Sequence, residues 1–556
     1  MMREWRKNLI LILFILFGAT ISGRLIFVQI LNHQLYKAQA QGQQNLLVEI
    51  QGRRGEIFLK SGGSLLPLAI NKTGWFCYLY PKEIKNKEET VRKLVEILNL
   101  KEEELFQKID EEKAFVKIKS KLSDSEIANL KKANLIGVYL REENLRYYPQ
   151  DYFLSQVIGF VGGEGKGQYG LEGFYDETLR TDSEFIEGKR GLGGSLIFFS
   201  PFQKQEKNDL ILTIDSDIQF KAERLLTEAK EKLNFERGQI IVADPWTGKI
   251  LTLANLPSFN PNFYSGEKEL KVFKNPTVQE LFEPGSVFKP ITMAAALDQE
   301  KITPQTTYED PGIIKIGGWP IYNYEKRKYP GQISMIEVLE KSINTGAVFA
   351  ERQAGHDLFL EYIEKFGFFE KTGIDLQGEV FSQNIELKKG YEINFATASF
   401  GQGIAITPIQ LVRAFSAIAN GGKLVNPYIV ENLPNKINEG ENFVISRKTS
   451  SQLTTMLVSV VEKGFAKSAQ VPGYYVAGKT GTAQIPWSAL EIEKKGYSDK
   501  TIQTFVGFAP AFDPKFLILI KLDNPKTKTA EYSTVPMFGE LAKYIINLWQ
   551  IPPDYE

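Results

Sequence analysis

The sequence carries a single cysteine, Cys77, in 556 residues. That excludes an intramolecular disulfide and a cysteine-rich metal site. Histidine is nearly as scarce. His33 and His356 are the only two, which speaks against a histidine-built zinc centre. A nucleophile in this chain is therefore expected to use a base other than histidine. Net charge is missing as well: 67 basic residues offset 67 acidic ones, so no global field points to nucleic acid or to an anionic surface. No nucleic-acid partner is expected. Internal repeats and low-complexity tracts are absent too. What remains is a globular composition, 43% hydrophobic and 24% charged, in a chain long enough for two or three domains.

The N-terminus departs from that average. Arg3, Arg6 and Lys7 precede a largely apolar run from Leu9 to Gly23. A spanning helix needs about 20 residues, a length reached if Arg24 snorkels to the interface and Leu25 to Val28 continue the helix. The expectation is a cytoplasmic tail over residues 1–7 and a transmembrane helix over 8–30, with the remainder extracytoplasmic because the basic residues lie before the span. A cleaved signal peptide is the competing reading, since Gly18, Ala19, Ser22 and Gly23 offer small residues at a cleavage site. Apolar residues resume after Arg24, which favours a retained anchor.

Residues 31–203 read as a mixed α/β pedestal. "KEETVRKLVEILNL" places Val91, Leu94, Val95 and Leu98 on one helical face, and glycines at 162–170 and 191–194 mark loops. No catalytic cluster stands out there. The texture changes after "FQKQEKND", and residues 204–556 read as a second domain. "DLILTI", "GQIIVA" and "KILTLANLP" have strand character, the last two joined by a turn at Asp244–Gly248. "TFVGFAPA" and "KFLILIKLD" form a second strand pair, with helical segments between, including Ser286–Leu297 and Pro408–Ala419. Strands at both ends with helices between predict an antiparallel sheet covered by helices. The overall class is α/β in the α+β sense.

Chemistry concentrates in "EPGSVFKP". Ser286 and Lys289 are three residues apart and share a helical face. A serine hydroxyl needs a base, and a desolvated neutral lysine can serve, more so if a second cation lowers its pKa. A lone Ser-x-x-Lys is common by chance, and an N-cap serine beside a surface lysine is its ordinary meaning. This one is followed by Ser342 and Asn344 in "KSINTG", and then by Lys479-Thr480-Gly481-Thr482 in "GYYVAGKTGTAQ".

Ser-x-x-Lys, Ser-x-Asn and Lys-Thr-Gly in this order resemble the penicillin-recognising serine transpeptidases, and among them the class B penicillin-binding proteins. The resemblance extends over nearly the whole chain, through "RRGEIF", "RYYP", "GQYGLEGFYDETL", "TIDSDIQ", "DPWTGKILTLANLPSFNPN", "FGQGIAITPIQLVRAFSAIANGG" and "FVGFAPA". Two pedestal positions depart from the family pattern: Leu59-Lys60-Ser61-Gly62 replaces an Asp-Arg-Asn-Gly-like turn, and Leu179-Arg180-Thr181 replaces Leu-x-Gly.

The resemblance implies a D,D-transpeptidase that crosslinks peptidoglycan stem peptides through an acyl-serine, with release of D-alanine and without a cofactor or metal. Ser286 would be the acylated nucleophile and Lys289 its base. Ser342 would relay a proton, and Asn344 would hydrogen-bond a substrate amide. Lys479 would lower the Lys289 pKa and hold Ser342. Thr480, Gly481 and Thr482 would form the substrate-binding strand, with Thr480 and Thr482 binding the substrate carboxylate and backbone, and the backbone N–H groups of Ser286 and Thr482 would form the oxyanion hole. β-Lactams would acylate the same serine. Implied partners are the membrane, a polytopic glycan polymerase of the SEDS type and other division or elongation proteins, with a division role preferred on the modest length and the lack of large pedestal insertions. A D,D-carboxypeptidase, a β-lactamase-like hydrolase or a non-catalytic β-lactam sensor would use the same residues.

Three look-alikes are set aside. Gly473 to Thr480 satisfies the P-loop pattern, but Gly481 and Pro486 interrupt the helix that a phosphate loop requires. Tyr474, Tyr475 and Val476 instead suit an edge strand able to pair with a peptide. Lys371-Thr372-Gly373 duplicates the triplet in what reads as a connecting loop. "EILN" (Glu96 to Asn99) resembles a deacylation motif but precedes the serine, and its Ile97 and Leu98 read as helix core.

Overall fold

The computed structural model describes residues 4–27, 45–50, 53–109, 116–180, 184–190, 196–199, 208–433 and 442–556. A helix runs from Glu4 to Ile26 and includes an 18-residue stretch, Leu9–Ile26, of mean hydropathy 2.3. Arg24 is the one charged residue of the Leu9–Ile26 stretch. The helix starts inside the expected 1–7 tail, because Glu4 to Lys7 are competent helix formers. Residues 28–30 of the expected span and His33 lie outside the described residues.

The chain forms two compact units and passes between them repeatedly. One comprises Met1–Arg54, Lys72–Leu145 and Arg180–Lys207, and the other Gly55–Asn71, Arg146–Leu179 and Asn208–Glu556. The expected boundary at 203/204 lies outside the described residues. Gly55–Asn71 and Arg146–Leu179, read from sequence as pedestal, group instead with the C-terminal part. Long-range pairing is the reason. Strand Ile57–Ser61 runs parallel to strand Leu210–Asp215, and Gly55 N–H donates to the Leu179 carbonyl at 2.7 Å. "RYYP" and "GQYGLEGFYDETL" meet in a buried ion pair, Arg146 Nε to Glu172 Oε1 at 2.6 Å.

In the first unit, helix Lys87–Leu98 is capped by Asn86, whose side chain accepts from Glu89 N–H, and ends at Asn99 in the left-handed conformation. Val91, Leu94 and Leu98 are buried in a small core that also holds Cys77. Glu96 of the "EILN" look-alike is exposed. Burial pushes the Cys77 thiol up to about 12, which makes it a poor nucleophile.

The second unit is built on a five-stranded sheet. Its strands are β1 (Arg237–Ala243), β2 (Ile250–Leu256), β3 (Ala477–Pro486), β4 (Tyr497–Ala509) and β5 (Phe516–Asp523), in the order β2-β1-β5-β4-β3. Every neighbouring pair is antiparallel. Every residue of β5 is buried, so both of its faces are covered. The covering helices are α1 (Ser216–Leu233), α2 (Lys289–Asp298), α3 (Met335–Glu340), α4 (Asn344–Ala354), α5 (Pro408–Ala419), α6 (Arg447–Lys463) and α7 (Thr534–Leu548). Helices α1 and α7 pack together. Helices α2, α5 and α6 form a second group, with α6 against β3 and α5 against β4 and β5. Helix α5 carries the capping box Thr407–Gln410, begins at Pro408 and is buried along its whole length.

Candidate active site

The site begins at a tight turn. Gly285–Phe288 is a 3-10 turn that leads directly into α2 at Lys289. Sequence reasoning expected a helix from Ser286, and the tighter turn has a geometric consequence. With three residues per turn, positions i and i+3 eclipse, so Ser286 and Lys289 stack on one edge. Their Oγ and Nζ atoms are 3.0 Å apart. Lys289 is fully buried among apolar neighbours such as Phe288 and Ile291.

Ser342 arrives from the junction of α3 and α4. Ser342 N–H donates to Leu339 and Ile343 N–H to Val338, the pattern of a helix that ends on a left-handed residue, where glycine is usual. Ser342 has φ 53°, which costs a β-carbon-bearing residue about 1–2 kcal/mol. In return its carbonyl and hydroxyl both face Lys289 Nζ, at 2.6 and 3.2 Å. Asn344, the first residue of α4, offers Oδ1 to the same nitrogen at 2.9 Å.

Lys479 comes from β3, an edge strand of the sheet. Its Nζ donates to Ser342 Oγ at 3.0 Å and to the Thr480 carbonyl at 3.0 Å, with Thr480 Oγ1 at 3.3 Å. Ser342 Oγ thus lies between two buried amines. Burial pushes Lys289 well below the ordinary lysine value, and the neighbouring Lys479 charge pushes it further. Burial alone lowers Lys479 to about 7. Two amines this close cannot both carry charge cheaply.

Gly481 packs directly on the nucleophile turn. A β-carbon there would sit 3.0 Å from the Pro284 carbonyl oxygen and 3.0 Å from Val287 Cγ1. Gly285 has φ 63°, and its N–H donates to the Gly401 carbonyl at 2.9 Å, so "FGQGIAITP" holds the turn from behind. Thr482 stands apart from the lysines: its Oγ1 accepts from Ala530 N–H at 3.1 Å. Ser286, Lys289, Ser342, Asn344, Lys479 and Thr480 are brought together, and Gly481 fixes the spacing between strand and turn.

The edge-strand reading needs adjustment. Strand β3 starts at Ala477 rather than at Tyr474. Tyr474 closes a bridge with Val471 around Gly473, and Tyr475 N–H donates to Asp554 Oδ2 at 2.8 Å, so both tyrosines are spoken for before the strand begins. The sequence also gave no hint of Tyr322, whose carbonyl accepts from Asn344 Nδ2 at 2.9 Å. A backbone acceptor leaves no compositional trace. The look-alikes resolve clearly. Gly473–Thr480 leads into a strand, which excludes a phosphate loop. Thr372 and Gly373 lie in a loop and donate backbone N–H bonds of 2.7 and 3.0 Å to the Glu379 carboxylate.

A helix-covered antiparallel sheet with a Ser–Lys–Ser–Asn–Lys cluster at its edge strand is the architecture of penicillin-recognising domains. The chain belongs to the penicillin-binding protein transpeptidase family, as a class B member: the transpeptidase-domain profile matches residues 238–543, and the penicillin-binding protein dimerisation-domain profile matches 49–196. It is 33% identical to stage V sporulation protein D of Bacillus subtilis, over 97% of this chain and 85% of that protein. It is 31% identical to the probable peptidoglycan D,D-transpeptidase PbpC of Pseudomonas aeruginosa, over 99% and 96%. Its fold matches penicillin binding protein 3 of Mycobacterium tuberculosis, crystallised with aztreonam, at TM-score 0.67 and 24% identity, over 91% of this chain and 98% of that one.

Proposed function

We propose that this protein is a peptidoglycan D,D-transpeptidase in which Ser286 is the acylated nucleophile. The observation that carries the reading is the 3.0 Å approach of Ser286 Oγ to a fully buried lysine beside a second one. In its neutral form Lys289 accepts the Ser286 proton while its own hydrogens are held by the Ser342 carbonyl and Asn344 Oδ1. Ser286 Oγ then attacks the carbonyl of the penultimate D-alanine. The backbone N–H groups of Ser286 and Thr482 receive the developing oxyanion, a role that suits an edge strand with one unpaired side.

Collapse of the tetrahedral adduct breaks the peptide bond, and the proton taken by Lys289 reaches the departing D-alanine amine by way of Ser342. An amine from a neighbouring stem attacks the acyl-serine by the reverse route, which restores Ser286 and leaves the crosslink. Thr480 and Thr482 bind the substrate carboxylate and backbone, while Lys479 holds Ser342. A β-lactam would enter the same path and halt at the acyl-enzyme. The helix at Glu4–Ile26 anchors the enzyme as a single pass, with Arg3, Arg6 and Lys7 on the cytoplasmic side and the site outside. A polytopic SEDS-type glycan polymerase and other division or elongation proteins are the partners this placement serves.

Fluorescent penicillin labelling of membranes that carry wild type or Ser286→Ala tests the nucleophile. Labelling is expected to vanish in the variant, and equal labelling would overturn the assignment. D-Alanine release should rise when an acceptor amine is added, which separates transfer from hydrolysis.

A further inference from the structure

The Ser-x-Asn segment carries a second structure on its outer side. Strands Ile313–Ile316 and Trp319–Tyr322 form a hairpin with paired residues Ile313 and Tyr322, Ile314 and Ile321, Lys315 and Pro320. Its inner face, through Ile316 and Ile321, packs on Ala347 and Val348 of α4. Its far end is pinned to the site. Tyr322 O accepts from Asn344 Nδ2, and the next residue, Asn323, is buried and takes Thr345 N–H on Oδ1 at 3.0 Å. Asn323 Nδ2 in turn donates to both oxygens of Asp310 at 3.1 and 3.0 Å. The hairpin is thus rigidly indexed to the first turn of α4.

Its outer face has a different character. Tyr322 is 39% exposed and Tyr324, just past the strand, 45%, whereas Trp319, paired with Ile316 at the tip, belongs to the opposite face. Left-handed residues Glu325 and Lys326 fold the following loop back, so that Lys326 Nζ lies 5.3 Å from the centre of the Tyr322 ring. The Lys328 stem runs beside Gly312, whose β-carbon position lies 3.1 Å from Lys328 Cβ. Arg327 is paired with Glu325 at 2.5 Å. Among the described residues, Lys315, Lys326 and Lys328 make no ion pair. Lys326 therefore lies over an exposed tyrosine whose carbonyl is bonded to Asn344, Lys315 is paired with Pro320 on the same face of the hairpin as Tyr322, and Lys328 follows in the loop beside Gly312. From Tyr322 to Trp319 the strand spans about 10 Å, the length of about three extended residues.

We propose that this face, built on Lys315, Tyr322, Lys326 and Lys328, is a subsite for a carboxylate-bearing part of the stem peptide, remote from the terminal D-alanine. The proposal rests on the peptide acyl-transfer reading above. A substrate amide held by Asn344 continues past the Tyr322 ring, and a side-chain or α-carboxylate two or three residues from the scissile bond then meets the lysines. Exposed ion pairs are individually weak, so the subsite selects among peptides rather than dominating affinity. It also loses its effect as salt screens the lysines.

The test compares full-length, detergent-solubilised wild type and Lys326→Ala/Lys328→Ala on two synthetic stem peptides that end in D-Ala-D-Ala, one with a free internal carboxylate and one with that group amidated. Wild type should prefer the free carboxylate by about fivefold in kcat/KM, and the preference should shrink towards one in the variant and in 0.5 M salt. The charge reversal Lys326→Glu/Lys328→Glu should invert it. No preference in wild type, or an unchanged one in both variants, would overturn the subsite. An equal loss on both peptides would overturn it too, because the face would then act through shape or sugar contact. Fluorescent penicillin labelling of wild type and Ser286→Ala, run alongside, reports on the Ser286 assignment independently.

Discussion

Gly481→Ala perturbs the site without removing any functional atom. The added β-carbon would approach the Pro284 carbonyl oxygen and Val287 Cγ1 to 3.0 Å, and Val287 N to 3.3 Å. All three belong to the turn that carries Ser286. Contacts this close force one side to move by a few tenths of an ångström, and the turn has little room to retreat. Its Gly285 N–H is bonded to the Gly401 carbonyl at 2.9 Å. On the strand side, Lys479 is fully buried and bonded to Ser342. Strain therefore opens the gap between β3 and the turn, across which the proposed oxyanion donors, the N–H groups of Ser286 and Thr482, would converge on one oxygen.

Overpacking of this kind costs about 1–3 kcal/mol of stability, a fall of a few degrees in melting temperature. The effect on acylation should be larger. Loss of one oxyanion donor costs about 10²–10³-fold, so a partial displacement should slow acylation by a fluorescent penicillin by roughly 10–100-fold. The measurement is the second-order acylation rate together with the melting temperature. Gly266→Ala, where nothing lies within 4 Å of the added carbon, serves as control. A Gly481→Ala rate within twofold of wild type would refute the claim that this glycine sets the oxyanion spacing.

The two lysines make a pH prediction. Burial is the larger cause of the depressed Lys289 value and the Lys479 charge the second, so Lys479→Met should move the acid limb of the acylation profile to higher pH, and an unmoved limb would refute the coupling. Lys479 itself titrates near 7 in the fold and near 10.4 when unfolded. The unfolded chain therefore binds the extra proton between those values, and wild-type stability recovers as pH rises through that window. The melting temperature of Lys479→Met relative to wild type should accordingly be higher at pH 6 than at pH 9, and a pH-independent difference would count against it. Glu172→Gln leaves Arg146, 5% exposed, charged and unpaired by carboxylate, and should cost about 3–5 kcal/mol in denaturant unfolding. A loss under 1 kcal/mol would show the pair to be dispensable. Lys371→Ala, in the duplicate triplet, should leave penicillin labelling intact, whereas a strong loss would reopen the choice between the triplets.

Local elements were legible because local chemistry writes them. Helix α5 begins at Pro408 and ends at Ala419 as its capping and apolar pattern require, and β1, β2 and β5 lie where β-branched and apolar runs place them, whereas β4 begins at Tyr497, seven residues before "TFVGFAPA", through a polar stretch that carries no strand pattern. What the sequence hid is long-range or conformational. Nothing in "RRGEIF" announces that strand Ile57–Ser61 pairs with Leu210–Asp215, since a parallel partner more than a hundred residues away leaves no local mark. Ser342 occupies a left-handed position that a reader would assign to glycine. Tyr322 contributes a carbonyl, which any residue could supply, and only the folded chain shows which one does.

Ser342 also indicates why the site tolerates strain. A glycine at this position would relax the backbone but would remove the hydroxyl between the two lysines. With two buried amines in contact range, one proton fewer is the cheap state, and among the described residues the Ser342 hydroxyl oxygen is the only side-chain atom hydrogen-bonded to both nitrogens. The strained residue therefore links the charge state of Lys479 to that of Lys289. Strain of about 1–2 kcal/mol is small beside the penalty for burying two adjacent cations, for which a neutral Lys289, the state the proposed base for Ser286 requires, is the natural relief.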